Sequence, residues 1–223
     1  MPPGTKIFDF GWVAGHLGQV WERIVQHLQL TVIPLALGIV IALVLAVIAL
    51  RRPVIYGPVT AVAGILYTIP RLAAFALLLP IFGLSLLTAV IPLTTYTLLI
   101  LFRNFTAGFN AVPSEILEAA EGMGYTRRQR LWRVELPLAV PLIFAGIRLA
   151  SVTTIGLATV AAVLGDSFGG LGQLITEGIQ GFFPTKYLLG AALSVLLAFA
   201  ADTLFVRLER IITPWAHVRA GAR

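Results

Sequence analysis

Arg71, Arg148 and Asp202 stand inside apolar runs of this chain, where an ionisable side chain costs several kcal/mol unless it faces a partner or a wet cavity. Charges placed this way can bind a polar solute or bond one span to another. Arg148 either lines such a path, bonds between spans, or snorkels toward the cytosolic end of its own span. Asp202 is expected to pair with a nearby arginine such as Arg207. Arg71, beside Pro70, lines a route or sits at an interface. Pro70 removes a backbone donor in mid-span, and broken helices are tolerated at membrane depth where they face protein or water. Tyr67, Thr68 and Pro70 are therefore the leading route candidates. Thr153 and Thr154 can hydrogen-bond a neighbouring helix or a polar solute.

Residue sets for covalent or metal chemistry do not assemble. The chain has no cysteine, and His16, His27 and His217 show no ligand spacing, so they are read as solvated or interfacial. There is no His-Glu-x-x-His helix, and no histidine falls within an expected span, which argues against a membrane-embedded hydrolase. Lys6 and Lys186, the only lysines, each follow threonine instead of glycine, so there is no nucleotide-binding P-loop. The glycine-rich run Gly165 to Gly172 is read as a turn. The expectation is a chain that is not an enzyme and needs no metal or cofactor, with any ATP hydrolysed by another polypeptide.

These residues must be positioned by membrane helices. With 58% hydrophobic and 12% charged residues and a mean hydropathy of +0.93, too little polar surface exists to cover a soluble globule. A helix needs roughly 20 apolar residues to cross the hydrocarbon. Leu30 to Leu50 meets that without a charge. Thr60 to Phe82 reads as a second span interrupted by Pro70 and Arg71, Leu86 to Phe102 as a third, about Leu138 to Leu164 as a fourth, and about Tyr187 to Val206 as a fifth. The fold class is an all-α integral membrane protein of about five transmembrane helices.

Orientation follows from the basic residues, which are retained in the cytoplasm near span ends. Arg51, Arg52, Arg103, Arg127, Arg128, Arg130, Arg133, Arg207, Arg210, Arg219 and Arg223 fall on one side, and Lys6, Arg23 and Lys186 on the other. The amino terminus is thus expected outside and the carboxyl terminus inside. The net charge of +6 is explained by this clustering, so nucleic acid is not an expected partner. Residues 1–27 read as an amphipathic or interfacial segment, with Trp12 and Trp21 as headgroup anchors. A membrane-spanning domain over 28–213 and a cytosolic tail over 214–223 follow.

The loop over 112–137 is helix, glycine turn, helix. Ser114 can cap the first helix, with Glu115 and Glu118 near its positive end. Gly122 and Gly124 give permissive backbone for its end. Thr126 followed by Gln129 is a capping-box pattern opening a second helix, Arg127 to Glu135, expected to stop before Pro137. Ala119 and Ala120 let another backbone approach closely, while Ile116, Leu117, Met123 and Tyr125 offer apolar contact. On these features alone the loop is a connector, a docking knob or a DNA-reading helix-turn-helix.

The spacing Glu118-Ala119-Ala120, three residues, Gly124, nine residues, Val134, one residue, Leu136-Pro137 resembles the signature of permease subunits of ATP-binding-cassette importers. Val134 departs by one methylene from that family's isoleucine. Similarity over about Thr31 to Pro214 points to the osmoprotectant branch. It is carried by Tyr67-Thr68-Ile69-Pro70, Glu121-Gly122-Met123-Gly124-Tyr125, Val134-Glu135-Leu136-Pro137-Leu138-Ala139-Val140-Pro141 and Gly169-Gly170-Leu171-Gly172. Arg71 departs, since relatives carry a small polar residue there.

The resemblance implies a multi-pass permease in the cytoplasmic membrane of a prokaryote, importing glycine betaine, choline, carnitine or proline. Its implied partners are cassette ATPases docked on the 112–137 loop, a second or sister permease, an extracytoplasmic solute-binding protein and the bilayer. Methionine or another small amino compound is the alternative cargo. An ion-coupled secondary carrier is the alternative class, but it calls for intramembrane carboxylates and inverted repeats. Only Asp202 qualifies, and no repeat is visible.

Overall fold

The computed structural model describes residues 7–162 and 168–215, all helix and connecting turn. In chain order the helices are α1 (Phe10–Gly15), α2 (Leu17–Arg51), α3 (Tyr56–Thr68), α4 (Arg71–Phe82), α5 (Leu86–Asn110), α6 (Ser114–Gly122), α7 (Arg127–Arg130), α8 (Leu136–Ala161), α9 (Gly170–Gln180) and α10 (Pro184–Ile212). A 3-10 turn, Pro53–Ile55, precedes α3, and a π-helical turn, Leu131–Glu135, joins α7 to α8. Lys6, Gly165 to Ser167, His217, Arg219 and Arg223, with the tail beyond 215, lie outside the described residues.

Leu17–Arg51, Leu86–Asn110, Arg127–Ala161 and Pro184–Ile212 are each long and apolar enough to cross a membrane, and α3 with α4 makes a fifth crossing if that broken pair counts as one. Pro70 makes the break: it is extended, with φ −55° and ψ 133°, and it precedes Arg71, the first residue of α4. A proline cannot donate back into the helix before it, so α3 ends at Thr68. The described residues thus hold four such helices, or five with the broken pair, against an expectation of about five.

Residues 17–27, read from sequence as part of a separate interfacial segment, are instead the first turns of the helix that continues to Arg51. The apolar run begins only at Leu30, and hydropathy alone is blind to helix that continues past it. The separate piece is the six-residue α1. Asp9 caps it by accepting from the Trp12 N–H at 3.1 Å, and the Asp9 N–H donates to Thr185 Oγ1 at 2.9 Å. Trp12 packs edge-on against Phe183 and lies under Lys186 Nζ at 5.5 Å. Trp21 is exposed.

The chain clusters into two compact units. The first comprises residues 1–36, 69–94 and 152–200, with Leu30, Phe75, Leu93, Leu171 and Leu174 in its core. His27, expected to be solvated or interfacial, is fully buried and accepts a hydrogen bond from the Leu171 N–H at 3.3 Å. Gly170 to Gly172, read as turn, open α9, whose first amides are taken up by His27 and by Gln26 Oε1, 3.0 Å from the Gly170 nitrogen. The free N–H groups of that helix start are thus met by side chains far away in sequence. Gly190 brings α10 onto α9 so closely that a Cβ there would lie 2.9 Å from Leu171 O.

The second unit comprises 37–68, 95–151 and 201–223. Tyr96, Leu101, Phe102 and Phe105 of α5 form its core with Ala42 and Ala46 of α2. At Gly146, α8 approaches α5 to where a Cβ would meet Asn104 Cβ at 2.5 Å. Helices in lipid associate through such small residues.

Candidate functional site

Pro113 is extended and leads into α6 with no side-chain cap, so Ser114 is the first helical residue and not the cap expected of it. Glu115 still meets the positive helix end. At the other end Met123 is the C-cap and Gly124 follows with φ +79°. The Gly124 N–H donates to Glu121 O at 2.9 Å and the Tyr125 N–H to Ala120 O at 3.1 Å. Those two bonds are the Schellman pattern, which requires a left-handed residue at the position Gly124 holds. A Cβ at Gly124 would meet nothing within 4 Å, so backbone conformation alone demands the glycine.

Thr126 opens α7 with the expected capping box: its N–H donates to Gln129 Oε1 at 2.9 Å and its hydroxyl accepts from the Gln129 N–H at 3.3 Å. The expected stop before Pro137 does not occur. The backbone widens into the π-turn, where the Leu136 N–H donates to Leu131 O, and helix continues through Pro137 to Ala161. A proline ring clashes with the carbonyl four residues back, here Arg133, and a wider turn just before it relieves that clash.

Of the residues singled out in this loop, Glu118, Ala119 and Gly124 are exposed and Ala120 is buried at 1% exposure. Ala120 is therefore small for the loop's own packing, and Ala119 is the alanine open to a neighbour. Val134 and Pro137 line a shallow groove of about 390 Å³ with Ile116 and Trp215. Leu136 lines an apolar groove of about 320 Å³ with Leu131, Trp132 and Phe109. Ile116 and Met123 are exposed apolar residues on this elbow.

Three charged residues, none of them a fixed position of the Glu-Ala-Ala…Gly…Leu-Pro spacing, join the elbow internally. Arg130 Nε lies 2.6 Å from Glu135 Oε1, and its Nη1 reaches Glu121 Oε1. The Glu135 side chain is 5% exposed and that of Glu121 61%. No sequence rule pairs residues across a turn whose helical continuation is unexpected, so this triad escapes sequence reading.

Among the route candidates of the second unit, Tyr67 packs edge-on against Tyr96 at 5.8 Å, and the Thr68 hydroxyl donates to Ile65 O at 2.7 Å. Arg148 binds Asp202 with two hydrogen bonds, Nε to Oδ1 at 2.8 Å and Nη2 to Oδ2 at 3.2 Å. Arg148 is thus an interspan bond from α8 to α10, and Asp202 takes it in place of Arg207. Adjacency in sequence suggested Arg207, but a residue five positions on does not share a helix face as one three or four away does. In the first unit, Arg71 is exposed and opens α4, Thr153 is half-buried and Thr154 fully buried. Each unit therefore holds part of the candidate set.

Gly165-Asp166-Ser167-Phe168-Gly169 has the letters of a nucleophile elbow, which needs a strand before its serine. The preceding element is the helix α8, and the described residues contain no strand. Ser167 itself lies outside the described residues.

Residues 35–214 match the family described as binding-protein-dependent transport system inner membrane component. An osmoprotectant import permease protein, OsmW of Salmonella typhimurium, is 40% identical over 194 residues, 85% of this chain and 89% of that one. The choline transport system permease protein OpuBB of Bacillus subtilis is 34% identical over 88% of this chain and 90% of its own. The carnitine transport permease protein OpuCB of Listeria monocytogenes is 36% identical over 91% of each. Among solved structures, a chain of the inward-facing MetNI methionine transporter superposes with TM-score 0.77 over 89% of this chain and 98% of its own, at 22% identity. That last likeness is one of fold.

Proposed function

We propose a role from the premise that this chain belongs to the binding-protein-dependent transport system inner membrane component family. It is the membrane permease subunit of an ATP-binding-cassette importer for compatible solutes of the glycine betaine, choline, carnitine or proline class. The observation that carries the solute class is the 40% identity to an osmoprotectant permease across 85% of the chain.

The chain pairs with a second copy or a sister permease, receives solute from an extracytoplasmic binding protein, and rests on two cassette ATPases that bind and hydrolyse the ATP. It holds no cofactor itself. It sits in the cytoplasmic membrane of a prokaryote, amino terminus outside. The arginines assigned to the cytosolic side cluster at the ends of the apolar runs, which supports that orientation. Glu118, Ala119 and Gly124 form the surface that meets the ATPase, with the buried Ala120 and with Val134, Leu136 and Pro137 behind them. Tyr67, Thr68, Pro70, Arg71, Thr153 and Thr154 contribute to the solute route. Cassette closure moves the elbow, and the spans follow as rigid bodies to switch access.

Proteoliposomes carrying this permease, its cassette ATPase and its binding protein test the reading. Uptake of labelled glycine betaine, choline or carnitine should require both ATP and the binding protein. Uptake that persists without ATP and collapses with an ionophore would make the chain an ion-coupled carrier instead.

A further inference from the structure

The triad of Glu121, Arg130 and Glu135 ties together three pieces of backbone: the last turn of α6, the end of α7 and the π-turn at the foot of α8. Each member has a reason to hold its place. Glu121 lies at the carboxyl end of α6, where exposed carbonyls disfavour a negative charge, so the guanidinium beside it offsets that repulsion. Glu135 is buried and would stand uncompensated without Arg130. Arginine's planar fork lets one side chain serve two carboxylates through separate nitrogens, which a lysine's single ammonium does poorly.

The backbone at this joint is weaker than in ordinary helix. The π-turn replaces the usual bonds with the Leu136 to Leu131 bond, and Pro137 cannot donate to Arg133 O. A push on α6 therefore has two ways into α8: through the Gly124 turn and this loosened helix, or across the side chains of the triad. The charged bridge crosses the segment where the ordinary helical bonding is interrupted.

We propose that Arg130 is a positioning residue which, held between Glu121 and Glu135, carries displacement of the ATPase-docked helix α6 into the membrane-spanning helix α8. This rests on the importer reading above. In that account the docking face binds the motor, and the triad behind it makes the movement useful.

The test compares wild type with Glu121→Gln, Arg130→Gln and Arg130→Lys, each purified as a complex with the cassette ATPase and reconstituted with the binding protein. The readout is solute imported per ATP hydrolysed, using whichever of labelled glycine betaine, choline or carnitine the wild type takes up. Glu121→Gln is decisive, because an exposed ion pair adds little to stability. We expect it to keep its ATPase partner and continue hydrolysis while the ratio falls about tenfold, within the usual range of coupling between sites. Arg130→Gln should fall at least as far, and Arg130→Lys should recover part of the loss.

An unchanged ratio in Glu121→Gln overturns the proposal whatever Arg130→Gln does. Loss of the ATPase from the Glu121→Gln complex also overturns it, since the triad would then be a docking contact. A wild-type complex that imports without ATP is a separate result, seen before any variant is compared, and it removes the importer reading itself.

Discussion

Valine in place of Gly124 is expected to abolish solute uptake while the chain still inserts in the membrane. Gly124 holds φ +79° at the end of α6, and a β-branched residue in that region costs about 1–3 kcal/mol. The strain is relieved only by giving up the paired bonds from Gly124 to Glu121 and from Tyr125 to Ala120, which set the angle between α6 and α7. Space is not the issue, because a Cβ there meets nothing within 4 Å. Asparagine, which tolerates the left-handed region, should therefore retain most uptake where valine retains none. Equal loss in both variants would mean that bulk at a docked surface, and not backbone conformation, makes glycine necessary.

Breaking the Arg148–Asp202 pair carries the other large expected effect. Two hydrogen bonds join α8 to α10 inside the spans, with both side chains about one-third exposed in the isolated chain. Within a span a lone ionised side chain costs about 2.5–3.5 kcal/mol, so either residue without the other is a stranded charge. Asp202→Leu and Arg148→Leu should each lower the thermal midpoint and yield of the detergent-solubilised protein. The double replacement Arg148→Leu with Asp202→Leu should restore most of that stability, since apolar pairs substitute well for buried ion pairs. A double-mutant cycle measures this as a coupling energy of about 2 kcal/mol or more between the two sites. Additive losses would show that the two charges do not sense one another and that Arg148 snorkels.

How much of this was legible in the sequence differs from element to element. Leu30 to Leu50 and Leu86 to Phe102 could be read as spans because continuous apolar runs report burial in lipid directly. Thr126 with Gln129 could be read as a helix start because a capping box is a contact between residues three apart. What stayed hidden depends on distant partners or on backbone rules yielding to context. Gln26 and His27 cap α9 from 144 residues away, which turned an apparent glycine loop into a helix. Pro137 was expected to end a helix, and a single π-turn let the helix pass. Asp202 found its partner 54 residues back, not five ahead. At the elbow, Glu118 to Pro137 stood out by spacing, whereas Arg130 became visible only once the fold set Glu121 and Glu135 on either side of it.

The native chain has no cysteine, so Met123→Cys places a single thiol on the exposed tip of the elbow, where Met123 is 68% exposed. A photo-crosslinker attached there, activated in the reconstituted complex and followed by mass spectrometry, tests most directly whether a separate motor drives this permease through α6. The account predicts an adduct with the cassette ATPase, formed from the cytosolic side. An adduct with the extracytoplasmic binding protein, or none with the ATPase in a complex that still imports, would contradict it.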